Sequence, residues 1–166
     1  MAMTKITSTG GAPEKKSDSG PLRRTMDLRG FIAQLERAAS DGRMDPVRAL
    51  MKQERFLLHA EVTGDHAAGI VASLTDATSF HACRLEHDGR FLCCARGLHV
   101  CDGLQGKLCE HLVALLIGLV QFGMADATML SGWVARTAEK GPTLGIDVIR
   151  AALAVHEAKE RAAGPP

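Results

Sequence analysis

From Asp27 onward, apolar side chains recur at intervals of three and four residues (Leu28, Phe31, Ile32, Leu35), the spacing of one helix face, and Asp41-Gly42 closes the run. Asp45 and Pro46 then supply an N-cap and a first-turn residue for a short second helix carrying Val47, Leu50 and Met51 on one side, so residues 26–55 read as a helical hairpin. Beyond it the period shortens. Phe56 to Val62 and Ala68 to Leu74 are aliphatic and β-branched enough for strands, with Gly64-Asp65-His66 as the turn between them. Ser79 to Glu86 alternates Phe80, Ala82 and Arg84 against His81, Cys83 and Leu85, and His87-Asp88-Gly89 turns the chain into a fourth strand, Arg90 to Cys93. After a loop from Ala95 to Gly106, the segment Cys109 to Phe122 is apolar nearly all round and is stopped by Gly123, which predicts a central buried helix. Two amphipathic segments, Thr128 to Lys140 and Ile146 to Ala162, follow on either side of Gly141-Pro142.

This order predicts an α+β fold: a small antiparallel sheet with a ββα unit, flanked by N- and C-terminal helices. The expected divisions are a disordered tail (1–25), the helical hairpin (26–55), a ββα region (56–123) and C-terminal helices (124–166). The tail is rich in Gly, Ser, Thr and Lys and lacks periodic hydrophobicity, so it cannot offset the entropy of ordering. At 166 residues, with 46% hydrophobic and 23% charged residues, the chain has enough apolar material for one packed domain. Aromatic residues make up 4% and Tyr is absent, so the core is expected to be aliphatic and a base-stacking nucleic-acid surface is not expected. A net charge of +1 supplies no long-range attraction for nucleic acid or an anionic membrane. The longest apolar run, Leu112 to Val120, is about half of the ~20 residues that a bilayer requires. The start of the chain has no apolar signal-like run and the cysteine count of five is odd, which leads us to expect a cytoplasmic protein with reduced thiols.

Reduced cysteines crowded into a short stretch are read as metal ligands. Cys93, Cys94, His99, Cys101, Cys109 and His111 all fall within FLCCARGLHVCDGLQGKLCEHL, and Zn²⁺ takes four thiolate or imidazole ligands in a tetrahedron. Cys109 and His111 are two positions apart, which inside a helix would turn them about 200° from each other. They converge if Cys109 stands at or before the N-cap and His111 in the first turn, where the helix dipole also favours a thiolate. In the first pair, adjacent strand residues point to opposite faces, so one of Cys93 and Cys94 reaches the metal. With Phe91 facing the core, Cys93 shares its face and reads as packing, so the expected set is Cys94, Cys101, Cys109 and His111, with Cys93 as the alternative to Cys94 and His99 behind both. Cys83 reads as a small core residue and His81, two residues before it, as a non-ligand.

The segment Cys109-Glu110-His111-Leu112-Val113-Ala114-Leu115-Leu116, preceded by SFHACRLEHDGRFLCC, resembles the SWIM zinc-finger family, whose pattern is CxC, a variable gap, then CxH followed by an aliphatic helix. The resemblance covers about Ala68 to Val120. Two features depart from the family: Glu110 stands where a basic residue is usual, and the first pair is adjacent Cys93-Cys94 with Cys101 seven residues beyond Cys94. The resemblance implies a bound Zn²⁺ and, since SWIM proteins include ATPase-associated factors, helicases and transposases, a role in binding another protein, such as an ATPase or larger complex, or DNA.

No catalytic residues are assigned. The chain has no HExxH, no Gly-rich phosphate cradle and no Ser-centred elbow, and four protein ligands leave a metal no open position. Between Arg84 and His111, Arg84, Arg90, Arg96 and Lys107 are balanced by Glu86, Asp88, Asp102 and Glu110, which favours a protein partner over DNA. The expected function is therefore a non-catalytic interaction or assembly module, with a DNA-binding accessory module or a thiol-based redox or zinc sensor as the alternatives.

Overall fold

The computed structural model describes residues 25–40, 44–76 and 78–163; the tail expected over 1–25 falls, but for Thr25, outside them, as does Asp41-Gly42. The fold is α+β, with helices on both sides of one antiparallel sheet. Its elements are α1 (Leu28–Ala38), α2 (Asp45–Met51), β1 (Leu57–Val62), β2 (His66–Ala72), β3 (Phe80–Glu86), β4 (Phe91–Ala95), α3 (Glu110–Gln121), α4 (Ala127–Lys140) and α5 (Ile146–Ala163). The four strands lie in sequence order as a meander.

Local chemistry accounts for most boundaries. Asp27 caps α1 by accepting the Gly30 N–H, and Asp126 caps α4 by accepting that of Met129. In α2 the cap is Met44, so Asp45 and Pro46 stand one position further into the helix than the sequence suggested. Met44 is buried and sits in a helical conformation, so packing sets this start and no capping side chain does. The β3–β4 hairpin closes through three residues, with the Gly89 N–H bonded to the Glu86 carbonyl and Gly89 in the left-handed region at φ 94°.

The sheet is covered on both faces. On one, α3 lies against β1, β2 and β3, with α1 and α2 packed on α3 and α4 packed on α1. The approach is close at Gly69, where a Cβ would stand 2.5 Å from Leu115 Cδ1 and 2.7 Å from the His59 carbonyl oxygen. On the other face α5 covers β2, β3 and β4, with His156 edge-on to Phe80 at 4.9 Å between ring centres. His81, Cys83, Leu85, Phe91 and Cys93 therefore look toward α3, and Phe80, Ala82, Arg84, Leu92 and Cys94 toward α5. Nine residues of α3, from His111 to Leu119, are buried, as expected of a helix apolar on every side. No helix among the described residues is long and apolar enough to cross a membrane.

Candidate metal centre

The first half of the centre comes from a hairpin that the sequence reading treated as loop. β4 ends at Ala95, and the chain turns through Arg96, Gly97 and Leu98: the Leu98 N–H bonds to the Ala95 carbonyl, and the Ala95 N–H to the carbonyl of His99. This is the three-residue connection of the β3–β4 turn repeated, with Leu98 at φ 63° where the first turn has glycine. A leucine in the left-handed region costs of order 1 kcal/mol, and its side chain packs on the core in return. The returning chain pairs Val100 with Cys94, and the Cys101 N–H donates to the Cys93 carbonyl at 2.9 Å. Cys101 thus stands directly opposite Cys93, on the same face.

The second half comes from the start of α3. Cys109 is its N-cap residue, extended at φ −79° and ψ 169°, with no hydrogen bond from its side chain to the helix. That conformation lets Cys109 and His111 converge although they are only two apart. The segment before Cys109 is held by α1: Leu108 donates to the Ala38 carbonyl, the Ser40 N–H donates to the Leu108 carbonyl, and the Ser40 hydroxyl bonds to the Gly103 carbonyl. At Gly103 a Cβ would lie 3.0 Å from Cys109 Cβ and 2.8 Å from the mobile end of Glu110, so a side chain there would press on Cys109.

Cys93, Cys101, Cys109 and His111 are all buried, and their ligand atoms lie within 4.8 Å of one another. Around a tetrahedral Zn²⁺ with sulfur at ~2.3 Å and nitrogen at ~2.0 Å, three sulfurs and one nitrogen stand about 3.5 to 3.8 Å apart. Cys101 Sγ and His111 Nδ1 are already 3.6 Å apart. Three buried thiols and an imidazole, with no buried Lys or Arg among the described residues, form a donor set that suits a soft or borderline divalent ion.

The surroundings favour a thiolate at one sulfur and oppose it at others. Hydrogen bonds from the Cys109 and Cys93 thiols, with smaller help from His111 and the Gly103 amide, hold the Cys101 thiol well below its ordinary range. Burial pushes Cys93 and Cys109 up. Burial likewise drives Cys83 to about 11, so Cys83 is a thiol, and its Sγ lies 3.5 Å from that of Cys93. His81 stacks on His111 at 3.6 Å between ring centres and 16° between planes, fixing the plane of that imidazole. Burial, and next the neighbouring His111, lowers His81 to about 4, and its Nδ1 is buried without a hydrogen-bond partner.

Three of the four expected ligands, Cys101, Cys109 and His111, are brought together. Cys94 is not; the fourth donor is Cys93, the stated alternative. The alternation along β4 is as expected, with Cys93 beside Phe91, but the inference drawn from it is corrected. The core face is the α3 face, and α3 carries Cys109 and His111, so the residue sharing a face with Phe91 is the one that reaches the centre. Cys94 is buried toward α5, opposite Ala82. His99 is exposed and lies outside the cluster. His81, Gly103 and Ser40 were not singled out as supports for the centre. Of these only His81 carried a signal, being on the same strand face as Cys83.

No known family profile, no curated protein and no solved structure matches this chain.

Proposed function

We propose that this chain is a zinc-binding, SWIM-like module whose metal is structural and whose task is to bind another protein. The closed donor set carries the reading: four buried side chains offer four ligands, and a tetrahedral ion held by all of them keeps no position for water or substrate. The metal then acts as a staple, joining the β4 hairpin to the start of α3. The SWIM-like element is Cys109-x-His111 at a helix start; in place of a CxC pair, Cys93 and Cys101 face each other across a hairpin. A protein partner is supported by the balanced charge around the centre and by exposed apolar side chains where α3 ends, Phe122 (61% exposed) and Met124 (44%).

The test is metal analysis of the purified chain beside affinity capture from its native cell. We expect about one zinc per chain, and a captured protein that binds the F122S/M124S double variant at least tenfold less well. A folded chain without metal, or a metal-dependent catalytic activity, would overturn the proposal.

A further inference from the structure

Three cysteines stand in one row across three adjacent chain segments. Cys83 of β3 is the register partner of Cys93 of β4, and Cys93 is opposite Cys101 on the returning limb of the hairpin. All three side chains lie on the α3 side of the sheet. Cys93 and Cys101 belong to the four-donor set, whereas Cys83 lies outside it with its sulfur 3.5 Å from that of Cys93. Exposure is greatest at Cys101, 8%, against none at Cys93 and 2% at Cys83. Counting inward from the Glu86 N–H bonded to the Arg90 carbonyl, Cys83 and Cys93 form a non-hydrogen-bonded pair. Such pairs bring Cα atoms to about 4.5 Å, within the span a disulfide bridges.

We propose that this row is a redox device, in which a hydroperoxide acting at Cys101 yields a Cys83–Cys93 disulfide that takes one ligand from the zinc centre and releases the ion. The inference rests on reading the cluster as a zinc centre. Written for thiols, the Cys101 sulfur attacks one peroxide oxygen; an S–O bond forms, the O–O bond breaks and water leaves, giving a sulfenic acid. Cys93 attacks that sulfur, forming an S–S bond as the S–O bond breaks and a second water leaves. Cys83 then attacks the Cys93 sulfur, the bond to Cys101 breaks, and the Cys83 proton passes to Cys101. The sum is two thiols and one hydrogen peroxide giving one disulfide and two waters. Zinc departs as Zn²⁺, unchanged in oxidation state, because both electrons come from sulfur. Cys83 is what distinguishes this centre from a plain staple: it is a sulfur in contact with a ligand sulfur that no metal would hold.

The experiment treats zinc-loaded protein with one equivalent of hydrogen peroxide, follows zinc release with a chromophoric chelator, and maps disulfides by alkylation and mass spectrometry. In the wild type we expect Cys83 linked to Cys93, Cys101 and Cys109 alkylated, and recovery of zinc binding after a dithiol reductant. C83S and C83A, both checked for fold by circular dichroism, should keep their zinc before treatment and stop at a Cys93–Cys101 disulfide. Wild-type protein with Cys83 alkylated and only Cys93, Cys101 or Cys109 linked among themselves would overturn the proposal, as would C83S and C83A forming no disulfide. Absence of zinc from untreated protein would instead refute the zinc reading, while the disulfide map of the same sample still judges the sulfur row.

Discussion

Replacing Cys93 and Cys94 one at a time separates the two faces of β4. Cys94→Ala removes one sulfur from a fully buried position that looks toward α5 and lies outside the four-donor cluster. The cost is that of a small core truncation, about 1 kcal/mol, which in a chain of this size lowers Tm by roughly 2 to 4 °C. Cys93→Ala removes the same atom from the other face, where it is one of the four candidate donors. Structural zinc contributes about 10–16 kcal/mol of apparent binding free energy in small four-ligand sites, a quantity as large as the ~5–15 kcal/mol net stability of a whole domain. Losing a ligand should therefore cost at least ~4 kcal/mol, lowering Tm by roughly 8 °C or more. The assay is metal content by inductively coupled plasma mass spectrometry alongside thermal melts with and without chelator. We expect the Cys94 variant to keep one zinc and to remain chelator-sensitive, and the Cys93 variant to lose zinc and become indifferent to chelator. If instead the Cys93 variant keeps its metal and the Cys94 variant loses it, the reasoning from strand faces fails.

Further expectations follow from the supports of the centre and from its charge. Gly103→Ala should weaken zinc retention about 10-fold or more in competition with a chelator, because the new methyl presses on Cys109 Cβ; unchanged competition would show that the loop gives way. His81, held at about 4, resists protonation in the folded chain while the unfolded residue accepts a proton near 6.5. The unfolded state thus binds more protons between those values, and the contribution of His81 is fully present above about 6.5 and lost as pH falls toward 4. His81→Phe, which preserves a stacked ring, should flatten the fall in stability across that window relative to wild type, and parallel slopes would refute this. On DNA, binding should be weak and disappear at physiological salt, since the surplus positive charge lies in residues 1–25; a sequence-specific complex surviving deletion of that segment would contradict the preference for a protein partner.

The two hairpins, the buried α3 and the placement of Cys109 before its first turn were all legible, because each depends on neighbours within a few residues. Periods of two and near four, the Asp88-Gly89 turn and the all-apolar run ahead of Gly123 are local signals. What was not legible depended on pairing. The segment Ala95–Leu98 reads as loop because its left-handed position holds Leu98, where the preceding turn advertises itself with Gly89. With that hairpin unseen, nothing indicated that Cys101 returns opposite Cys93 and not Cys94.

The same pairing decides the ligand on grounds that spacing alone does not contain. Residues directly opposite in an antiparallel pair share a face. A hairpin closing between Ala95 and His99 opposes Cys94 to Val100 and Cys93 to Cys101, so Cys93 and Cys101 are the two that can close on one ion. One residue of slip in the turn would set Cys94 near Cys101 and aim that pair at α5, away from Cys109 and His111. The φ of Leu98, an unfavourable conformation for a side chain of that size, is thus tied to the chemistry: it holds the register that turns both sulfurs toward α3. The packing of the partly buried Leu98 against the core and the Cys101 N–H bond to the Cys93 carbonyl keep that register in place.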